Sequence, residues 1–231
     1  MHRFGKYAAT DSMSRLVNDD HRVLLVMSRF GIGLGFGDKN IGEVCARSGV
    51  DADTFLAVVN MLSTKSMDPA PIGGVSLAAL LGYLQNSHDY FLDFRLPAIR
   101  ARLKEVVGES DDLAKAIVRY FDEYITGVKK HMEYEERVVF PYVRTLLAGS
   151  RPQGKYNIGI YRRQHDHVEA RLEEFKSILI KYYAAPSTNE INGILFDVIN
   201  CAQDLALHNA LEDNIFSPAI AALERKAGGC V

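Results

Sequence analysis

Two segments of this chain repeat one arrangement of reactive side chains at a fixed interval, and that interval limits the folds open to it. His131 and Glu135 lie four residues apart in KHMEYEERVVFP, and His208 and Glu212 lie four apart in LHNALEDNIFSP. Each unit closes on a proline ten residues after its histidine, Pro141 and Pro218. The units are 77 residues apart, and the same interval carries His88 onto His165, each followed by an aspartate, Asp89 and Asp166. The pattern His … His-x-x-x-Glu therefore occurs twice, with a His-to-His spacing of 43 each time. A fixed period of this kind marks one structural unit used twice.

Hydrophobic spacing around each of these histidines is helical. The stripe through His131 holds Tyr124, Val128, Glu135, Val138 and Tyr142, and that through His208 holds Cys201, Leu205, Glu212, Ile215 and Ala219. His88 lies with Leu81, Leu84, Phe91 and Leu92, and His165 with Ile158, Tyr161, Val168 and Leu172. Breaks fall at GESDD (108–112), GSRPQG (149–154) and APSTN (185–189). The midpoint between His88 and His131 falls in the first break, and that between His165 and His208 in the third. Glu135 and His165 are centred on the second. Residues equidistant from a turn sit at one height in an antiparallel hairpin, so all four helices present a histidine at the same level. The sequence thus predicts an all-α fold, an up-down-up-down four-helix bundle over residues 76–226, with a tail at 227–231.

Ahead of it, residues 1–66 read as a small helical module and 67–75 as a Pro- and Gly-rich linker. In that module a helical stripe runs from Ser14 to Arg29, and Asn40 and Asp51 each cap a helix. The turn GIGLGFG (31–37) lacks the G-x-G-x-x-G spacing and a preceding strand, which excludes a dinucleotide fingerprint.

One His-x-x-x-Glu on a helix is ordinarily a surface ion pair. Four imidazoles and two carboxylates converging inside a bundle are different, because buried charge needs a partner. Neutral imidazole with carboxylate oxygen suits iron, manganese or zinc. The rest of the composition adds exclusions. With 27 Lys+Arg against 29 Asp+Glu the net charge is −2, which gives no electrostatic case for nucleic acid or a membrane surface. The run Gly73–Leu84 is too short to span a bilayer, the first residues carry no signal-peptide core, and three scattered cysteines make no disulfide framework. A cytoplasmic protein is expected. His2, His21 and His167 stand outside the repeat.

The motifs HMEYEERVVFP, HNALEDNIFSP, NSHDYF and RQHDHVEARL, spread over roughly Ser76–Glu224, resemble those of the hemerythrin-like family, and within it the repair-of-iron-centres proteins. That resemblance implies two non-heme iron ions, with His88, His131, His165 and His208 supplying two imidazoles to each. Glu135 and Glu212 would bridge them beside an oxo, hydroxo or water bridge. It further implies a stress-response role in repairing damaged iron–sulfur proteins, or alternatively an O₂- or NO-binding sensor or scavenger whose N-terminal module meets a partner. Oxygen carriers of the family bridge with an Asp five residues after the last histidine, here Asp213. Four residues turn a helical side chain about 40° from His208 and five turn it about 140°, so Glu212 is preferred and Asp213 is second. Carriers also hold a fifth histidine where this chain has Glu169. Repair proteins place adjacent cysteines in the turn where this chain has GIGLGFG, so thiol-dependent steps do not carry over. Tyr124, Tyr134 and Tyr161 share the ligand register and serve packing, or hydrogen bonding to a small ligand.

Overall fold

Local chemistry sets the helix starts. The Asn40 side chain accepts from the Glu43 N–H at 2.8 Å while Glu43 accepts from the Asn40 N–H at 2.9 Å, a reciprocal cap. Asp51 likewise accepts from the Thr54 N–H at 2.8 Å. In this computed structural model, residues 6–64, 74–108, 111–150, 156–164, 169–184 and 188–228 are described. They form twelve α-helices: α1 Met13–Asp19, α2 Val23–Arg29, α3 Ile41–Arg47, α4 Ala52–Thr64, α5 Leu77–Asp89, α6 Leu96–Val107, α7 Asp112–Tyr134, α8 Phe140–Leu147, α9 Ile158–Gln164, α10 Glu169–Tyr182, α11 Thr188–Leu211 and α12 Ser217–Gly228. Three wider, π-helical segments join α5 to α6 (π1, Tyr90–Arg95), α7 to α8 (π2, Glu135–Val139) and α11 to α12 (π3, Glu212–Phe216). Among the described residues there is no strand, only one bridge between Ser12 and Asn40. The all-α expectation holds.

The stripe expected as one helix from Ser14 to Arg29 is instead α1 and α2. Asp20 between them is extended (φ −150, ψ 100). Its carboxylate takes the Arg22 backbone N–H at 3.1 Å and the guanidinium at 2.9 Å, a local alternative to the helical ladder. That guanidinium holds the Asp20 carboxyl below its ordinary range.

The chain forms two compact units, residues 88–139 with 164–209, and residues 1–87 with 140–163 and 210–231. The first has one apolar core fed by four helical spans: Leu96, Ile99 and Leu103; Ile117, Phe121, Tyr124 and Val128; Leu172, Phe175 and Leu179; Ile194, Val198 and Leu205. Spacings of three, four and seven put each set on one face, and burying each such side chain contributes about 1.5–3 kcal/mol. Gly108, with φ 69, ends α6 in the left-handed region where a side chain would be strained. Tyr124 is spent on this core, 5.9 Å from Phe121 ring to ring.

In the other unit the N-terminal helices pack on one another through Val26, Met27, Val44, Phe55 and Val58. Arg29, buried there, lies beside the Tyr83 ring, and Asn86 donates to the Arg29 carbonyl at 2.7 Å. Phe140 and Phe216 meet edge-on at 6.0 Å, and Glu224 accepts from the Ile158 N–H at 2.8 Å. No described helix is long and apolar enough to cross a membrane.

Cys45 and Cys201 are both buried, and burial pushes the Cys45 thiol up to about 11. A thiolate is the reactive form. A disulfide-exchange reagent at pH 8 is therefore expected to modify at most one of the three cysteines in the folded protein and all three after denaturation. Prompt native labelling of Cys45, mapped by peptide mass, would contradict this.

Candidate metal centre

The site is built where α7 passes into π2. His131, in the last turn of α7, and Glu135, the first residue of π2, share a helical face, and His131 Nε2 lies 3.2 Å from Glu135 Oε1. The other oxygen of the same carboxylate, Oε2, lies 3.0 Å from Nε2 of His88 near the end of α5. One carboxylate thus stands between two imidazoles, one oxygen on each. The second nitrogen of His88, Nδ1, lies 3.1 Å from Glu136 Oε1. The His208 ring, on α11, lies 5.2 Å from that of His88 and 6.0 Å from Phe91.

Glu212 is the next turn of the helix that carries His208, and one donor atom from each of His88, Glu135, His208 and Glu212 lies within 4.8 Å of the others. All four are buried, with both carboxylates at 0% exposure. Asp213 is half-buried and stands outside this group. His165, with Asp166 and His167, lies outside the described residues, and Glu169 opens α10. Tyr161 is buried and Tyr134 half-buried.

Regular α-helix was expected through each ligand position, and the structure corrects this. The three wide turns follow or begin at His88, Glu135 and Glu212, and π2 and π3 occupy equivalent positions of the 77-residue repeat. In each case the π-segment stops two residues before a proline, Pro97, Pro141 or Pro218, and these are all the prolines among the described residues. The physical reason lies in the proline ring, which has no N–H and collides with the carbonyl four residues back in an α-helix. A wider turn relieves the collision: the Leu96 N–H reaches the Phe91 carbonyl and the Ser217 N–H reaches that of Glu212, each five residues back. Asn214 donates its side-chain amide to the Ala210 carbonyl at 2.9 Å, supplying a donor within the widened turn. π-Turns inside α-helices concentrate at functional sites. The signal was present in the sequence as a proline nine residues after His88 and six residues after each of Glu135 and Glu212.

The donor set fits a metal ion. Two fully buried carboxylates within one 4.8 Å group would repel each other in a medium of low polarity, and a cation between them removes that cost. Imidazole nitrogen with carboxylate oxygen is the ligand chemistry of first-row metals such as iron, manganese and zinc.

A helical bundle with such a group buried in it defines a cation-binding bundle protein. The comparison with known families agrees: residues 80–220, more than half of the chain, match the hemerythrin HHE cation binding domain, and the chain belongs to that family. It is also similar to the iron-sulfur cluster repair protein YtfE of Cronobacter sakazakii, with 23% identity over 194 residues, 82% of this chain and 86% of that protein.

Proposed function

We propose that this chain is a non-heme di-iron protein of the oxidative or nitrosative stress response that helps to restore damaged iron–sulfur clusters. The observation that carries the metal part is the Glu135 carboxylate set between the Nε2 atoms of His88 and His131. The repair part rests on likeness to a cluster repair protein over most of both chains. The proposed ligands are His88, His131 and His165 with His208, and Glu135 with Glu212 as bridges. His165 enters through the repeat alone.

Bound iron would supply one-electron redox chemistry and coordination of small oxidants such as O₂ or NO. The chain's own part is to hold imidazoles and carboxylates together, with His88, Glu135, His208 and Glu212 buried from bulk water. Its partners would be those small ligands and damaged iron–sulfur proteins in the cytoplasm, with neither membrane nor nucleic acid involved.

Protein purified from iron-replete cells is expected to hold close to two irons per chain, read by metal analysis with Mössbauer spectra. Less than one iron per chain would sink the proposal. His208→Ala should lower the iron content sharply, whereas His21→Ala should leave it unchanged.

A second reading, an O₂ or NO sensor or scavenger, is favoured by one observation. Cys45 is buried and its thiol is pushed up, so the N-terminal module offers no reactive cysteine among the described residues. Incubating the iron-loaded protein with a nitric-oxide-damaged cluster enzyme separates the two. Recovered activity supports repair, and tight NO binding without recovery supports the sensor.

A further inference from the structure

We propose that Glu136 is the positioning residue of His88: its carboxylate, carried at the start of the wide turn π2 and set against Nδ1, aims Nε2 of that ring at the metal. This rests on the metal-binding reading above and names a residue which that reading does not use.

The geometry is unusual for neighbours in sequence. Glu135 and Glu136 are consecutive, yet Glu135 Oε2 lies 3.0 Å from His88 Nε2 while Glu136 Oε1 lies 3.1 Å from His88 Nδ1. In an α-helix consecutive side chains diverge by about 100°, which would send one of the two away from the ring. Here, at the start of the π-turn, both long carboxylate side chains nevertheless reach the two edges of one imidazole. Pro141, two residues past that turn, disfavours regular α-helix through the turn itself, and α8 resumes at Phe140.

The two carboxylates differ in setting. Glu135 is at 0% exposure and Glu136 at 36%. A half-exposed carboxylate keeps part of its hydration, and it suits an outer support better than a buried ligand. A carboxylate on the far nitrogen of a ligating histidine fixes which nitrogen carries the proton, locks the ring plane and raises the basicity of the ligating nitrogen. Its loss typically costs 10–100-fold in metal affinity.

The test uses cobalt(II) titrated into the metal-free full-length protein, with its visible ligand-field bands giving both affinity and ligand geometry. Glu136→Ala is expected to weaken binding about 10–100-fold and to shift the bands. Glu136→Gln keeps an oxygen that can accept from the Nδ1–H, and is expected to recover affinity to within about 3-fold of the parent. Glu133→Ala removes a nearby, similarly half-exposed carboxylate paired with Lys129 and controls for net charge; it should leave affinity and spectrum unchanged. Glu136→Ala binding cobalt with the parent's affinity and spectrum would overturn the assignment. So would Glu136→Gln falling as far as Glu136→Ala, because orientation would then not be what the carboxylate provides. Failure of the parent protein to bind cobalt would instead overturn the metal reading itself.

Discussion

Removing the bound metal with a chelator is expected to lower the melting temperature by roughly 8–16 °C, and restoring the metal should reverse the shift. A ligand that binds only the folded state stabilises it by about 4 kcal/mol when its free concentration is a thousand times its dissociation constant. For a chain of this size each kcal/mol moves the midpoint by about 2–4 °C. The site has no equivalent in the unfolded chain, because its donors come from positions as far apart as His88 and Glu212. Yet the metal-free protein should remain folded. Glu135 still has His88 at 3.0 Å and His131 at 3.2 Å as partners, and the four-span apolar core does not depend on the ion. Calorimetry with and without chelator measures the difference. A midpoint unmoved within a degree or two would mean that these residues hold no metal that matters to the fold.

What the sequence revealed, and what it hid, follows from how far each feature acts along the chain. His131 and Glu135 are four apart, so a helix alone puts them on one face, and the 77-residue repeat ties that face to the His208–Glu212 pair. The caps at Asn40 and Asp51 were legible for the same reason, since each is made within three residues. The break at Asp20 was not, because the apolar stripe runs through it and the competing bonds to Arg22 involve two polar residues that also fit a helix. The wide turns were hidden because hydrophobic spacing at their positions still reads as helical. Their mark was the proline after each one, which a helix-period analysis registers only as an end signal. Glu136 was invisible because α-helical phase turns it about 100° from Glu135 and so off the ligand stripe. Its long side chain reaches His88 Nδ1 from the start of the widened turn.

Glu135→Gln is expected to produce opposite effects on the two forms of the protein. The amide has nearly the shape of the carboxylate, so packing at this fully buried position is kept. It has one oxygen and one nitrogen, however, where the native side chain turns one oxygen to His88 and the other to His131. It can therefore act as an acceptor on only one side, and the negative charge that offsets a cation is gone. Metal content should fall below one ion per chain, and the metal-dependent part of the melting temperature should disappear. The metal-free variant should meanwhile be no less stable than the metal-free parent, because without a cation Glu135 and Glu212 are two fully buried carboxylates in one 4.8 Å group, and neutralising one of them removes their mutual repulsion. Metal analysis and paired melts of chelated samples read both effects. A variant that keeps its metal excludes Glu135 as a ligand. One whose metal-free form melts several degrees lower would show that the carboxylate is chiefly an ion-pair partner for the two histidines, and that the repeat was built for the fold before it was built for the ion.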